Sequence, residues 1–258
     1  MKKGMLIERN LLQHLAAHVL RPNEHAFELV GDAVLHGTGP QTSMGSMRSV
    51  ATPSAAASAH THAIGNYVEQ DCFVGWPSGE DMRWVMKEAI EQAGAFRTHL
   101  CVALEGTYAV TTCPGLHALG ALGHEQQAEL LDDVYDYFSS RHGHRCGRGA
   151  VAESFPCALY FLRLAARYAF DGGKCEQFAG QAERCAPRSD ARRAAAGAVP
   201  GRVFHCTFVP HRLSTGAAEY RYADLRAAPE AHRQRIRSGA YKSVRVAGRR
   251  RVRIGREW

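Results

Sequence analysis

Between Ser58 and Ala93 the side-chain period of the sequence changes from two to 3.6, and that change constrains what the chain can fold into. Ser58 to Ile64 (S-A-H-T-H-A-I) reads as a strand. Strand side chains alternate faces, so His60 and His62 project to the same side. From Ser78 the residues Met82, Val85, Met86, Ala89, Ile90 and Ala93 form one apolar helical stripe, which Gly94 ends. Asp81 lies nineteen positions after His62, in Pro77-Ser78-Gly79-Glu80-Asp81, where the helical pattern begins.

Two imidazoles and a carboxylate converging on one point would hold a zinc ion by three protein ligands. The fourth coordination position would stay open for water, as in a catalytic site rather than a structural one. The triplet His60, His62 and Asp81 therefore points to a zinc hydrolase. Each residue also has a plainer use. With fourteen histidines in the chain, one H-x-H pair is expected fairly often. Ser78 and Asp81 fit a capping box that starts a helix, and Glu24 could be a solvated acid at a strand entrance. The agreement of order, strand context and helix context favours the metal.

Around this stretch the elements alternate. Residues 10–20 place Leu12, Leu15, Ala16 and Val19 at helical spacing, with Asn10 as a cap. Arg21-Pro22-Asn23 ends that helix, because proline disfavours the helical conformation in the residue before it. Glu24 to Gly31 and Ala33 to His36 read as two strands joined by a tight Gly31-Asp32 connection. Residues 37–46 and 65–76 read as loops. His99 to Leu104 and Thr107 to Thr111 flank Glu105-Gly106, a hairpin pattern. Helix, strands, helix, strands implies an α/β (α+β) chain built as a mixed layer around one sheet.

The second half is expected to carry helices at His124 to His142 and Val151 to Phe170. Gln181 to Gly201 reads as a loop or weak helix. Val203 to Pro210 reads as a strand that Pro210 would close at the edge of the sheet. Three regions result: residues 1–123 with the candidate site, 124–230 as a helical and mixed extension, and 231–258 as a basic, flexible tail. His142 to Cys146 has metal-ligand residue types but reads as an interhelical loop. Gly37 to Pro40 lacks the lysine of a phosphate loop.

The net charge of +7 is concentrated at the end, where ten Lys and Arg follow His232 against a single acid, Glu257. Residues 233–256 thus offer a surface for nucleic acid or an acidic partner, or else a solvated end. Glu8, Arg9 and Asn10 interrupt the N-terminus, which excludes a signal peptide. The most apolar stretch, Phe155 to Phe170, contains Arg163 and Arg167 and is too short to span a bilayer. The eight cysteines form no C-x-x-C pair and are expected as reduced thiols. Together these features imply an intracellular protein, cytoplasmic or nuclear, with no membrane partner.

At Pro22-Asn23-Glu24…Gly31, His60-Thr61-His62 and Ser78-Gly79-Glu80-Asp81 the chain resembles the JAB/MPN metalloproteases that carry the JAMM motif, over about residues 5–115. The resemblance implies a JAB/MPN-like (cytidine-deaminase-like) mixed β-sheet flanked by helices, with a helical C-terminal extension. It implies Zn2+ on His60, His62 and Asp81, Glu24 as the acid–base group, and Ser78 as oxyanion donor. The implied activity is a peptide or isopeptide hydrolase, a deubiquitinase if the substrate is ubiquitin or a ubiquitin-like conjugate. Gly31, seven residues after Glu24, matches a glycine common in the family and selects Glu24 over Glu28, the reserve base on the same face. The chain departs from the motif in two places. Fifteen residues separate His62 from Ser78 against about seven in the family, an insertion that a loop accommodates cheaply. Ala63 stands where proline often follows H-x-H. Two other classes compete: a non-catalytic MPN scaffold, which typically lacks ligands that this chain keeps, and a nucleic-acid-associated protein using the arginine-rich end.

Overall fold

The computed structural model describes residues 5–31, 34–35, 41–92, 98–112, 122–146, 204–247 and 250–254. The expected helix over 151–170 and the segment 181–201 lie outside the described residues.

The chain is mixed α+β, with a mixed sheet flanked by helices. Its strands are β1 (Met5–Glu8), β2 (His25–Glu28), β3 (Val34–Leu35), β4 (Gln41–Met44), β5 (Ala57–Thr61), β6 (Thr98–Val102), β7 (Gly106–Thr112), β8 (Phe204–Ser214), β9 (Glu219–Arg221), β10 (Ser243–Val246) and β11 (Arg251–Ile254). Its helices are α1 (Arg9–Ala17), α2 (Ile64–Glu69), α3 (Gly79–Glu91), α4 (His124–Cys146), α5 (Tyr222–Ala227) and α6 (Pro229–Arg237). The large sheet runs β10-β8-β7-β6-β5-β2-β4, with β9 on β8, and a small sheet runs β11-β1-β3. Among the described residues β5–β6 is the one parallel pair within the large sheet, and β6–β7 is the expected antiparallel hairpin.

Alternation divides the sheet into two faces. Ala57 and Ala59 of β5, with Leu100 and Val102 of β6, join the apolar core that Leu11, Leu12 and Leu15 of α1 complete. Ser58, His60, His99 and Cys101 fall on the opposite face. There α3 buries Met82, Val85, Met86 and Ala89, most of the predicted stripe. α4 packs along α3. A Cβ at Gly79 would collide with the Tyr135 carbonyl and the Ser139 side chain, so glycine permits this close approach.

Several expectations are corrected. β2 and β3 do not form a hairpin: β2 pairs with β4 and β5, while β3 pairs in parallel with β1. Gly31 has φ +134 and a Cβ there would run into the Val34 carbonyl, so it turns the chain out of one sheet and into the other. The loop read over 65–76 begins with α2. His142 to Cys146, read as a loop, continue α4.

β8 is interior, between β7 and β10, and runs through Pro210. Proline costs a ladder bond only where its N–H is needed. Here His211 N–H donates to Glu105 on the β7 side. Pro210 faces the other neighbour, whose ladder ends one residue away at Val246–His211.

The described residues of the basic end, expected as a flexible tail, are folded. They supply α6, β10 and β11, and β11 pairs with β1. Val244, Val246, Ile236 and Ile254 are buried, and Val244 and Val246 alternate with the exposed Arg245. Too apolar-poor to fold alone, this end folds by completing sheets already present. Several arginines are engaged internally: Arg233 lies over the Phe73 ring at 5.2 Å and Arg235 over Tyr220 at 4.1 Å. Arg237 pairs with Asp71 and Arg251 with Glu8. Cys72 is disulfide-bonded, which corrects the expectation of reduced thiols throughout. Among the described residues no helix is long and apolar enough to cross a membrane.

Candidate metal centre

β5 carries His60, and the chain stays extended through His62, whose N–H donates to Val102 at 2.9 Å. Both imidazoles are therefore buried on the α3 side. Asp81 arrives from the first turn of α3, held by a capping box. Ser78 N–H donates to Asp81 Oδ2 at 2.6 Å and Asp81 N–H to Ser78 Oγ at 3.2 Å. The helix start and the carboxylate position are thus one device, and the capping and ligand readings of Asp81 coincide.

Three side chains converge. His60 Nε2 stands 3.1 Å from Asp81 Oδ1, His62 Nε2 3.2 Å from Asp81 Oδ2, and the two Nε2 atoms are 2.9 Å apart. Ligands about 2.0–2.1 Å from a tetrahedral ion stand roughly 3.3 Å from one another, so these spacings fit a metal. Cys101 adds a thiol, and ligand atoms of His60, His62, Asp81 and Cys101 all lie within 4.8 Å. This buried cluster can hold a metal ion. Cys101 Sγ lies 3.9 Å from His60 Nδ1.

The outer nitrogen of each imidazole is also anchored. His60 Nδ1 is 2.8 Å from His99 Nε2, and His99 Nδ1 is 2.8 Å from Ser58 Oγ. His62 Nδ1 donates to the Gly75 carbonyl at 2.6 Å. Gly75 N–H in turn donates to Glu105 Oε1 at 2.9 Å. The fully buried Glu105 carboxylate also accepts from the Tyr67 and Tyr108 hydroxyls at 2.9 and 2.7 Å. Sequence reasoning missed His99 and Glu105, reading both as parts of an ordinary hairpin. The available signal was an acid inside the apolar run V-A-L-E-G-T-Y.

Charge is tightly coupled here. Burial opposes protonation of His62, but Asp81, with Glu24 and the Gly75 carbonyl, outweighs it and lifts the pKa to about 9. Burial pushes Asp81 up, yet the His60 and His62 rings hold its carboxyl well below the usual range. The site thus stabilises positive charge at the point where the ligand atoms meet. Burial drives His99 well below the ordinary histidine value, keeping it neutral.

Glu24 is buried at the entrance to β2, its backbone exchanging bonds with Ser46 and Gly45. Burial raises its pKa against the pull of His62 and His60, and its side chain bonds Asn66. Glu24, Ser78, His60, His62 and Asp81 line one cavity of about 310 Å3, within the range of small-molecule and peptide clefts. Glu28, the reserve base, is exposed at the far end of β2 and does not line the cavity. All five predicted site residues are thus brought together. α4 adds Tyr135 and Ser139 to the wall, a contribution that the sequence analysis of 124–230 did not assign. Compared with protein-family models, curated proteins and solved structures, the chain finds no match in any of the three.

Proposed function

We propose that the chain is a zinc-dependent hydrolase of the JAB/MPN type, with the JAB/MPN-like fold, that cleaves a peptide or isopeptide bond. The observation that carries this reading is a buried carboxyl of raised pKa, Glu24, sharing one cavity with the His60–His62–Asp81 cluster. Two nitrogens and a carboxylate oxygen are donors that zinc accepts, and three protein ligands are the catalytic pattern. When bound, zinc would lower the pKa of coordinated water to about 7 and polarise the scissile carbonyl.

The chain's own groups then have distinct tasks. Glu24 accepts a proton from the attacking water and returns it to the leaving amine. A carboxyl lifted above its usual range suits both directions of transfer. Asn66 fixes its orientation. Ser78 Oγ accepts the Asp81 N–H, which leaves its own O–H free to donate to a developing oxyanion. Tyr135 and Ser139 of α4 narrow the cleft on one side. By the resemblance alone, a ubiquitin or ubiquitin-like conjugate is the first substrate to try.

Glu24→Gln is the test. It keeps size and hydrogen bonding but removes the proton acceptor, so cleavage should fall by about 10² to 10⁴-fold with zinc content unchanged. Undiminished cleavage by Glu24→Gln would reject the mechanism. A second reading rests on Cys101: as a fourth ligand it would close the site into a structural one. Zinc retention in Cys101→Ser separates the two arrangements, since ligand atoms of all four side chains lie within 4.8 Å.

A further inference from the structure

The proposal above uses one nitrogen of His60 and leaves the other to be explained. Metal ligation through Nε2 requires the imidazole proton to sit on Nδ1, because a neutral ring carries only one. That N–H faces His99 Nε2 at 2.8 Å. His99 must accept there, so its own proton sits on Nδ1, facing Ser58 Oγ at 2.8 Å, where a hydroxyl oxygen can accept it. With His60 a ligand through Nε2, one tautomer assignment satisfies every link, and it turns a lone pair of His60 toward His62 and Asp81.

We infer that His99 is a positioning residue for the metal, fixing the tautomer and ring orientation of His60 through a neutral chain that ends at Ser58. The inference rests on the reading of His60 as a ligand through Nε2. Three features separate it from ordinary core packing. The parallel register of β5 and β6 sets Ser58 opposite His99 and His60 opposite Cys101, so the whole chain lies on the metal face. Ser58 and His99 are fully inaccessible and His60 is 3% exposed, so water does not compete for these bonds. The Trp84 ring packs against His99 with centroids 4.9 Å apart, and Trp84 follows Asp81 by one helical turn. α3 therefore delivers a ligand and clamps the residue that orients another ligand.

A metal-bound histidine most often donates its second N–H to a carboxylate, carbonyl or water, and losing that partner typically costs about 10- to 100-fold in metal affinity. Here the partner is a second imidazole, which orients His60 without adding negative charge beside the cluster.

The experiment measures zinc affinity of the full chain by chelator competition, together with the visible spectrum of the cobalt(II)-loaded protein. The variants are His99→Phe, His99→Gln and Ser58→Ala. His99→Phe should weaken zinc binding about 10- to 100-fold and alter the cobalt bands. His99→Gln should recover most of the affinity, since its amide oxygen can accept the His60 Nδ1–H. Ser58→Ala should cost about threefold, the weight of one net hydrogen bond. Wild-type affinity in His99→Phe, or equal losses in the Phe and Gln variants, overturns the inference. If His99→Phe does not fold, Ser58→Ala decides: a loss supports the chain and an unchanged affinity overturns it. A wild-type chain that takes up no zinc would instead refute the proposed function, so the two failures are distinct.

Discussion

Glu105 and His62 do not touch, yet Gly75 joins them: its N–H donates to the Glu105 carboxylate and its carbonyl accepts from His62 Nδ1. The hairpin β6–β7 thereby reaches across a loop to orient a metal-cluster histidine. A Cβ at Gly75 would collide with the Tyr67 hydroxyl, itself a donor to Glu105, so the junction admits no side chain.

Removing the carboxylate should therefore be costly. Glu105→Ala removes the acceptor of two tyrosine O–H groups and of the Gly75 N–H at a buried position. Each buried unsatisfied group costs about 1–3 kcal/mol, so the expected loss is about 3 kcal/mol or more, read by urea unfolding. Zinc affinity should fall with it, because His62 loses its fixed carbonyl. A variant as stable as wild type would show that the network is incidental.

The start of α3 is expected to separate stability from chemistry. Ser78→Ala removes the cap and should cost about 1 kcal/mol, while cleavage should fall by about 10² to 10³-fold through loss of the oxyanion donor. Ser78→Thr keeps both hydroxyl functions and should restore most of the activity. Equal activity in the Ala variant would assign Ser78 to capping alone.

Cys101→Ser tests whether the thiol is a ligand. The three-ligand reading expects zinc content unchanged, because His60, His62 and Asp81 alone complete its ligand set. Loss of zinc in this variant would mark a closed, four-ligand site.

Acid should destabilise the fold in a defined window. Burial lowers both His211 and His232 to about 4, below the ordinary histidine value of about 6.5. Between those values the unfolded chain binds protons that the folded chain does not, so stability falls as the pH drops from about 6.5 toward 4. Above that window the contribution is fully present. For His211 alone the loss is about 3 kcal/mol. His211→Gln should flatten the pH dependence measured by urea unfolding at pH 7 and pH 5, and an unaltered slope would contradict it.

How much of this was legible in the sequence depended on range. His60 and His62, the helix start at Ser78 and the β6–β7 hairpin are written in local periodicity, and the structure reproduces them. Glu24 could be placed only through its resemblance spacing to Gly31, since nothing local distinguishes it from Glu28. His99 and Ser58 were hidden because their meeting depends on the parallel register of β5 and β6, which joins residues 41 positions apart. The pairing of β2 with β5 rather than β3 is likewise non-local. Pro210 misled because a proline ends a strand only where a ladder donor is required. The basic end misled because its charge conceals the alternation of Val244 and Val246 with Arg245, which is what docks it onto β8.

The most direct measurement is the zinc content of the full chain, equilibrated with the metal and freed of excess, beside His62→Ala treated the same way. The account predicts about one zinc per wild-type chain and a loss of it in the variant. A wild-type chain that retains no zinc, or a variant that retains it equally, would contradict the central claim that His60, His62 and Asp81 form a metal centre.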